Sequence, residues 1–199
     1  MRVFVAVLVL LLSFKSLSNA DDIRDFKIEG MAVGDSLLDY FSESEIKNKI
    51  FADYPASDRF KRFYASKQNW FKTYKGVQVN FIKNDKKYII HVIAGQIDFP
   101  DNISACLKEQ KKVAKELDSL FPNARKVSHK QKKAWDTKGE STSNVVAYIY
   151  TKNEKEWHVG ITCDDWSERV TKKDGMQDNL SVSIRSPEFV QFLRNEAYK

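Results

Sequence analysis

The sequence predicts an α+β fold: a mainly antiparallel sheet built from hairpins, with amphipathic helices packed on one face. Three observations predict it. Apolar residues alternate with polar ones in short stretches, as in Val77, Val79 and Phe81 and again in Leu180, Val182 and Ile184. The segments 83–86 and 152–155 carry turn chemistry between such stretches. From Ile103 to Phe121 the apolar residues instead fall three and four apart, the stripe of an amphipathic helix.

The elements follow in order. Phe26 to Met31 alternates as a short strand, and Gly34-Asp35-Ser36 opens a helical pattern with Leu37, Leu38, Tyr40 and Phe41 on its apolar side. Ser42 with Glu45 three residues on is a capping-box spacing, predicting a short helix through Lys49. Phe60, Phe63, Tyr64, Trp70 and Phe71 show no clean period; one strand near Arg62 to Ser66 and a loop after it are expected. Val77 to Phe81 and Tyr88 to Ile97 make a hairpin, its second strand largely buried. Pro100-Asp101-Asn102 ends that strand and caps the long helix, which Pro122-Asn123 stops. Residues 124–143 are polar and basic and read as a long loop. Strands follow over 145–150, 157–163 and 180–184. Ser186-Pro187 then starts a C-terminal helix with an N-cap and a proline at N1. A strand, hairpin and helix in the first half, and a hairpin, strand and helix in the second, suggest a weak βββα pseudo-repeat.

Residues 1–20 read as a secretory signal peptide. Met1-Arg2 is followed by an apolar run from Val3 to Leu12, and Ser18 and Ala20 stand at the small-residue positions of a cleavage site. The run is too short to span a bilayer, which takes about 20 residues. Cleavage after Ala20 leaves residues 21–199 as a single α+β domain in the periplasm or outside the cell. It removes Arg2 and Lys15 and no acid, lowering the net charge by two from +6. Seven Gly and four Pro leave no linker composition to divide the chain. In an oxidising compartment the two cysteines, Cys106 and Cys163, are expected to pair. Cys106 lies on the apolar stripe of the long helix. Cys163 lies with Trp157, Val159 and Ile161 on one strand face. A bridge there closes a loop of about 58 residues and stabilises by roughly 4 kcal/mol.

No phosphate loop, nucleophile elbow, zincin helix or Cys-x-x-Cys is present, so the sequence offers no cofactor or metal site. His91 and His158 fall within predicted strands, where a hydrogen-bonded histidine is the ordinary occupant. Residues 59–83 carry seven basic and no acidic residues, interleaved with aromatics. Residues 125–138 add six more basic residues, with Trp135 among them. Cations beside aromatic platforms suit anionic glycans or lipid headgroups. The ordinary alternative is that the aromatics are core and the lysines a solvated surface. A contact surface is expected at Arg62, Lys67, Trp70, Lys72, Lys132 and Trp135 if the two stretches share a face.

Ile28-Glu-Gly-Met-Ala-Val-Gly-Asp-Ser-Leu-Leu-Asp-Tyr-Phe41 resembles the start of a family of short exported proteins of AT-rich marine alphaproteobacteria. The helix with Cys106, the loop from Lys138, the segment Cys163-Asp-Asp-Trp-Ser167 and the stretch Asp178 to Ile184 are similar too. The resemblance implies a bacterial envelope location and supports the cysteine pair. That family has no assigned activity, so no catalytic residue is carried over. The reading that results is a non-catalytic periplasmic binding protein for an anionic glycan, lipid headgroup or envelope protein. Nucleic acid is the least expected partner. The alternative is a hydrolase-like envelope enzyme using His158 or His91 with a nearby carboxylate, which requires the two within hydrogen-bond reach.

Overall fold

The computed structural model describes residue 23 and residues 26–52, 54–66, 68–133, 136 and 138–199. The predicted signal segment, residues 1–20, lies outside the described residues. Eight strands form one antiparallel sheet: β1 (Ile50–Ala52), β2 (Phe60–Ser66), β3 (Gly76–Ile82), β4 (Val92–Asp98), β5 (Arg125–Lys132), β6 (Thr142–Lys152), β7 (Lys155–Asp165) and β8 (Asn179–Arg185). Four helices accompany them: α1 (Glu43–Asn48), α2 (Ile103–Leu120), α3 (Glu168–Asp174) and α4 (Pro187–Asn195). This is the predicted α+β class.

The spatial order β1-β2-β3-β4-β8-β7-β6-β5 is two four-stranded meanders joined at β4 and β8. Each meander is followed by a helix, so the repeat suggested by the sequence exists in strand order, with four strands rather than three. It does not extend to the helices. A two-fold axis relating antiparallel β4 and β8 would stand perpendicular to the sheet and keep both helices on one face. Instead α2 and α4 lie on opposite faces, whereas the sequence places the helices on one.

Strand alternation explains the two faces. Phe63, Val79, Ile93, Ile184, Val159 and Tyr148 lie side by side in register and point one way. They join Ile161, Cys163, Leu180 and Val182 in the main core, under Cys106, Ala114 and Leu117 of α2. Ile28, Met31, Leu37, Phe41 and Ile46 cover the rest of that face. The opposite face carries a smaller cluster, in which Phe60 and Val92 pack under Phe189 and Phe192 of α4. The apolar residues needed to seat α4 therefore occur at the out-of-phase positions of β2 and β4.

Local signals act as the sequence predicts in several places. Ser42 and Glu45 form the full capping box of α1, and Asn102 caps α2 by accepting from the Ala105 amide at 3.0 Å. Ser186 caps α4, with Pro187 in its first turn. The β6–β7 hairpin turns on Asn153 and Glu154, both at positive φ, as a two-residue hairpin of right-handed twist requires. Cys106 and Cys163 are joined, their Cα atoms 6.0 Å apart, and α2 is thereby tied to β7. Gln110 on the same helix is buried. Its Nε2 donates to the Asn144 carbonyl at 2.8 Å and the Ile161 carbonyl at 2.9 Å, bonding helix to sheet beside the disulfide.

Other expectations are corrected. The predicted strand Phe26 to Met31 is a tight turn, with Ile28 bridged to Met31 across Glu29 and Gly30, both at positive φ. The helical pattern after Gly34 is a single 3-10 turn, Leu37–Asp39. Residues 125–132, expected as loop, form β5 at one edge of the sheet. An edge strand lacking a buried face needs no apolar alternation, and β5 is almost wholly exposed. β1 and α3 are also additions; α3 is short and buries only Val170.

Reduction of the disulfide, or Cys106→Ala with Cys163→Ala, should cost about 2–5 kcal/mol. Urea unfolding with and without reductant measures it. Gly95 lies directly under the Tyr74 ring, and a Cβ there would stand 2.5 Å from a ring carbon. Gly95→Ala should destabilise by about 1–3 kcal/mol through this overpacking, read as a lower urea midpoint at unchanged slope.

Candidate anion-binding site

The acid-free run in sequence is not acid-free in space. Arg59 pairs with Glu188 and with Glu196 at 2.7 Å, Lys75 with Asp98 and Lys83 with Asp58. Glu29 accepts from the backbone amides of Lys72, Thr73 and Tyr74 at 2.6 to 2.7 Å and so anchors the loop that carries Lys72. In the second stretch Lys126 pairs with Asp118 and Lys133 with Asp164, both at 2.7 Å. Arg59, Lys75, Lys83, Lys126 and Lys133 are thus matched to carboxylates within the molecule.

Among the described residues, the expected contact surface does not come together on one face. β2 and β5 are six strand steps apart, about 29 Å along the sheet at ordinary spacing. Lys132 is exposed on β5 at one edge. Trp70 and Lys72 lie on the loop between β2 and β3. Trp70 is 41% exposed, stacked on Tyr40 at 6.2 Å and set edge-on to Phe71 at 4.4 Å. Phe41 touches both Trp70 and Phe63, so this aromatic group belongs to the apolar face. Arg62 lies on the opposite face of the sheet. Lys67 and Trp135 lie outside the described residues.

Arg62 leads instead to a different constellation. One register row on the second face reads Arg62, Asn80, Val92, Arg185, His158 and Ile149 across six strands. The Arg62 guanidinium sits over the Tyr54 ring at 4.0 Å. Asn80 Nδ2 donates to the Tyr54 hydroxyl at 3.0 Å, fixing that ring over β3. Arg185 is half-buried, and burial lowers its pKa. A Cβ built on Gly160 would lie 3.9 Å from Arg185 Nη2, so the guanidinium reaches across to β7 over a position with no side chain. Neither Arg62 nor Arg185 forms an ion pair with a carboxylate among the described residues. The Arg62 Nε is also buried without a hydrogen-bond partner.

The next row supplies a floor. Gln78, Ala94, Ser183, Gly160 and Ala147 lie side by side across β3, β4, β8, β7 and β6. These are small residues apart from Gln78, and α4 packs on Phe60 and on Val92 of the arginine row. The row beyond, Gln96, Ser181 and Thr162, is polar and half-buried. The arrangement is a shallow polar strip with two arginines along one side. Of this strip the sequence singles out only Arg62, because its residues are scattered single positions on six strands; the odd placement of Asn80 and Arg185 in otherwise apolar strands is the one further mark.

No family model, curated protein or solved structure matches this chain. The functional argument therefore rests on the residues themselves. His91 Nδ1 lies 3.1 Å from the Ser186 hydroxyl and 3.7 Å from Glu188. His158 Nε2 lies 3.9 Å from Glu156, whose carboxylate is taken by Arg194. Neither histidine has a carboxylate within hydrogen-bond length. His91 steadies the N-cap of α4, and His158 sits at the end of the arginine row. Among the described residues no group of three or more His, Cys, Asp or Glu could hold a metal ion, and no helix is long and apolar enough to cross a membrane.

Both histidines are held below the usual imidazole range. Burial is the main cause for each; Arg185, Arg194 and Arg125 add to it at His158, and Glu156 opposes it. The unfolded chain then takes up protons more readily than the folded one. Above about pH 6.5 neither state is protonated at these sites and nothing is lost. As pH falls below that value they remove stability. His158→Gln should therefore lose less melting temperature than the parent between pH 7 and pH 5, in paired thermal scans by circular dichroism.

Proposed function

We propose that this chain is an exported, non-catalytic binding protein that takes an anionic ligand on the polar strip of its sheet. Arg185 and Arg62 would hold the charge, and the Tyr54 hydroxyl, Gln78 and Ser183 would donate to or orient the ligand. The observation that carries this reading is the pair of shielded guanidiniums with no carboxylate partner among the described residues. A buried charge is costly unless paired, and an anion arriving from solvent would supply the missing partner. The paired N–H donors of a guanidinium suit two oxygens of a phosphate, sulfate or carboxylate. Export is supported by the pattern of residues 1–20 and by the Cys106–Cys163 disulfide, which belongs in an oxidising compartment.

The test is titration of the mature protein with phosphate, sulfate and a sulfated oligosaccharide by calorimetry, at low and at moderate salt. Binding should weaken with salt. Arg185→Gln should reduce it about tenfold or more, as expected for loss of a charge-assisted hydrogen bond, and Arg62→Gln should reduce it less. No heat with any of the three anions, or unchanged affinity in Arg185→Gln, would overturn the proposal.

A further inference from the structure

The sheet has two open edges of very different character. β1 is three residues long and its pairing with β2 shifts register between Ile50 and Ala52. β5 runs eight residues, Arg125 to Lys132, in unbroken register with β6 from Arg125↔Ile149 to Lys132↔Thr142. Among the described residues β6 is the only strand paired to it. Along the other edge, alternate residues present unpaired amide N–H and carbonyl groups over about 27 Å. This is the geometry on which an extended peptide adds as a further strand.

The side chains choose the peptide. Arg125, Lys130 and Lys132 are exposed and form no ion pair among the described residues, unlike Lys126 and Lys133. His129 adds a titratable group, and no acidic residue interrupts 125–133. Lysines on an edge strand ordinarily protect it against indiscriminate pairing. A second copy of β5 laid antiparallel would bring like charges face to face, a costly arrangement. An acidic strand would meet the opposite result. We infer that β5 is a docking edge for an extended acidic segment of a partner polypeptide, held by backbone pairing and selected by charge.

The probe is a fluorescent eight-residue peptide of alternating glutamate and valine. Its controls are the lysine–valine counterpart and the glutamate–valine peptide N-methylated on alternate amides. Anisotropy should show binding by the acidic peptide alone, weakening as salt rises. N-methylation keeps the charge and removes the donors, and should reduce affinity at least tenfold. Amide exchange should slow along 125–132 when the peptide is bound. The exposed triple variant Arg125→Glu, Lys130→Glu, Lys132→Glu should lose the acidic peptide and gain the lysine one, which a misfolded protein would not do. Arg185→Gln should bind the acidic peptide as the parent does, separating this edge from the polar strip. Equal binding of the N-methylated peptide, no exchange protection in β5, or self-association through this edge on gel filtration would overturn the inference.

Discussion

The pairing of β4 with β8 is the constraint on which the rest of the molecule depends. No local turn makes it; the two strands meet after the whole of α2 and the second meander have been laid down. Its register runs from Val92↔Arg185 to Asp98↔Asn179. That register sends Ile93 and Ile184 into the main core and turns Val92 and Arg185 to the other face. A slip of one residue would exchange the faces and bury Arg185 among apolar side chains. The disulfide guards this seam indirectly. It ties α2, which leaves from β4, to β7, which lies beside β8.

Charge is handled in two tiers. Several lysines and arginines in the basic stretches find carboxylates distant in sequence, as Arg59 does with Glu188 and Glu196. Exposed pairs of this kind add little stability, but they remove charge from any ligand-facing surface. Two sets of cations without an ion pair among the described residues are placed together. Arg62 and Arg185 lie along the polar strip, and Arg125, Lys130 and Lys132 line a sheet edge. The first set is shielded and suits a compact anion. The second is solvated and repeats along an open strand, which suits an extended one.

Elements defined by neighbours in sequence were legible in advance. The capping box of α1, the stripe and Asn102 cap of α2, the Ser186-Pro187 start of α4 and the turn at Asn153-Glu154 need only a few adjacent residues. The cysteine pair was legible because each cysteine sat on the apolar side of a periodic element. β5 was not, since an exposed edge strand carries no hydrophobic period and Arg125 to Lys132 reads as loop. Nor was the division of the helices, because Phe60 and Val92 look like ordinary strand residues until the phase of their neighbours is known. Counting basic residues along the chain misled for a related reason: the acids that neutralise them are remote.

The sequence by itself determined the α+β class, the hairpins turning at 83–86 and 152–155, the two longest helices and the residues that form the disulfide. These follow from periodicity and capping, which act over one or two turns of chain. Tertiary structure alone decided which strands became edges, which face each helix covered, and which arginines lack an acid among the described residues. Those outcomes depend on register between strands many residues apart, and register is set by the joint burial of the whole apolar face rather than by any local signal.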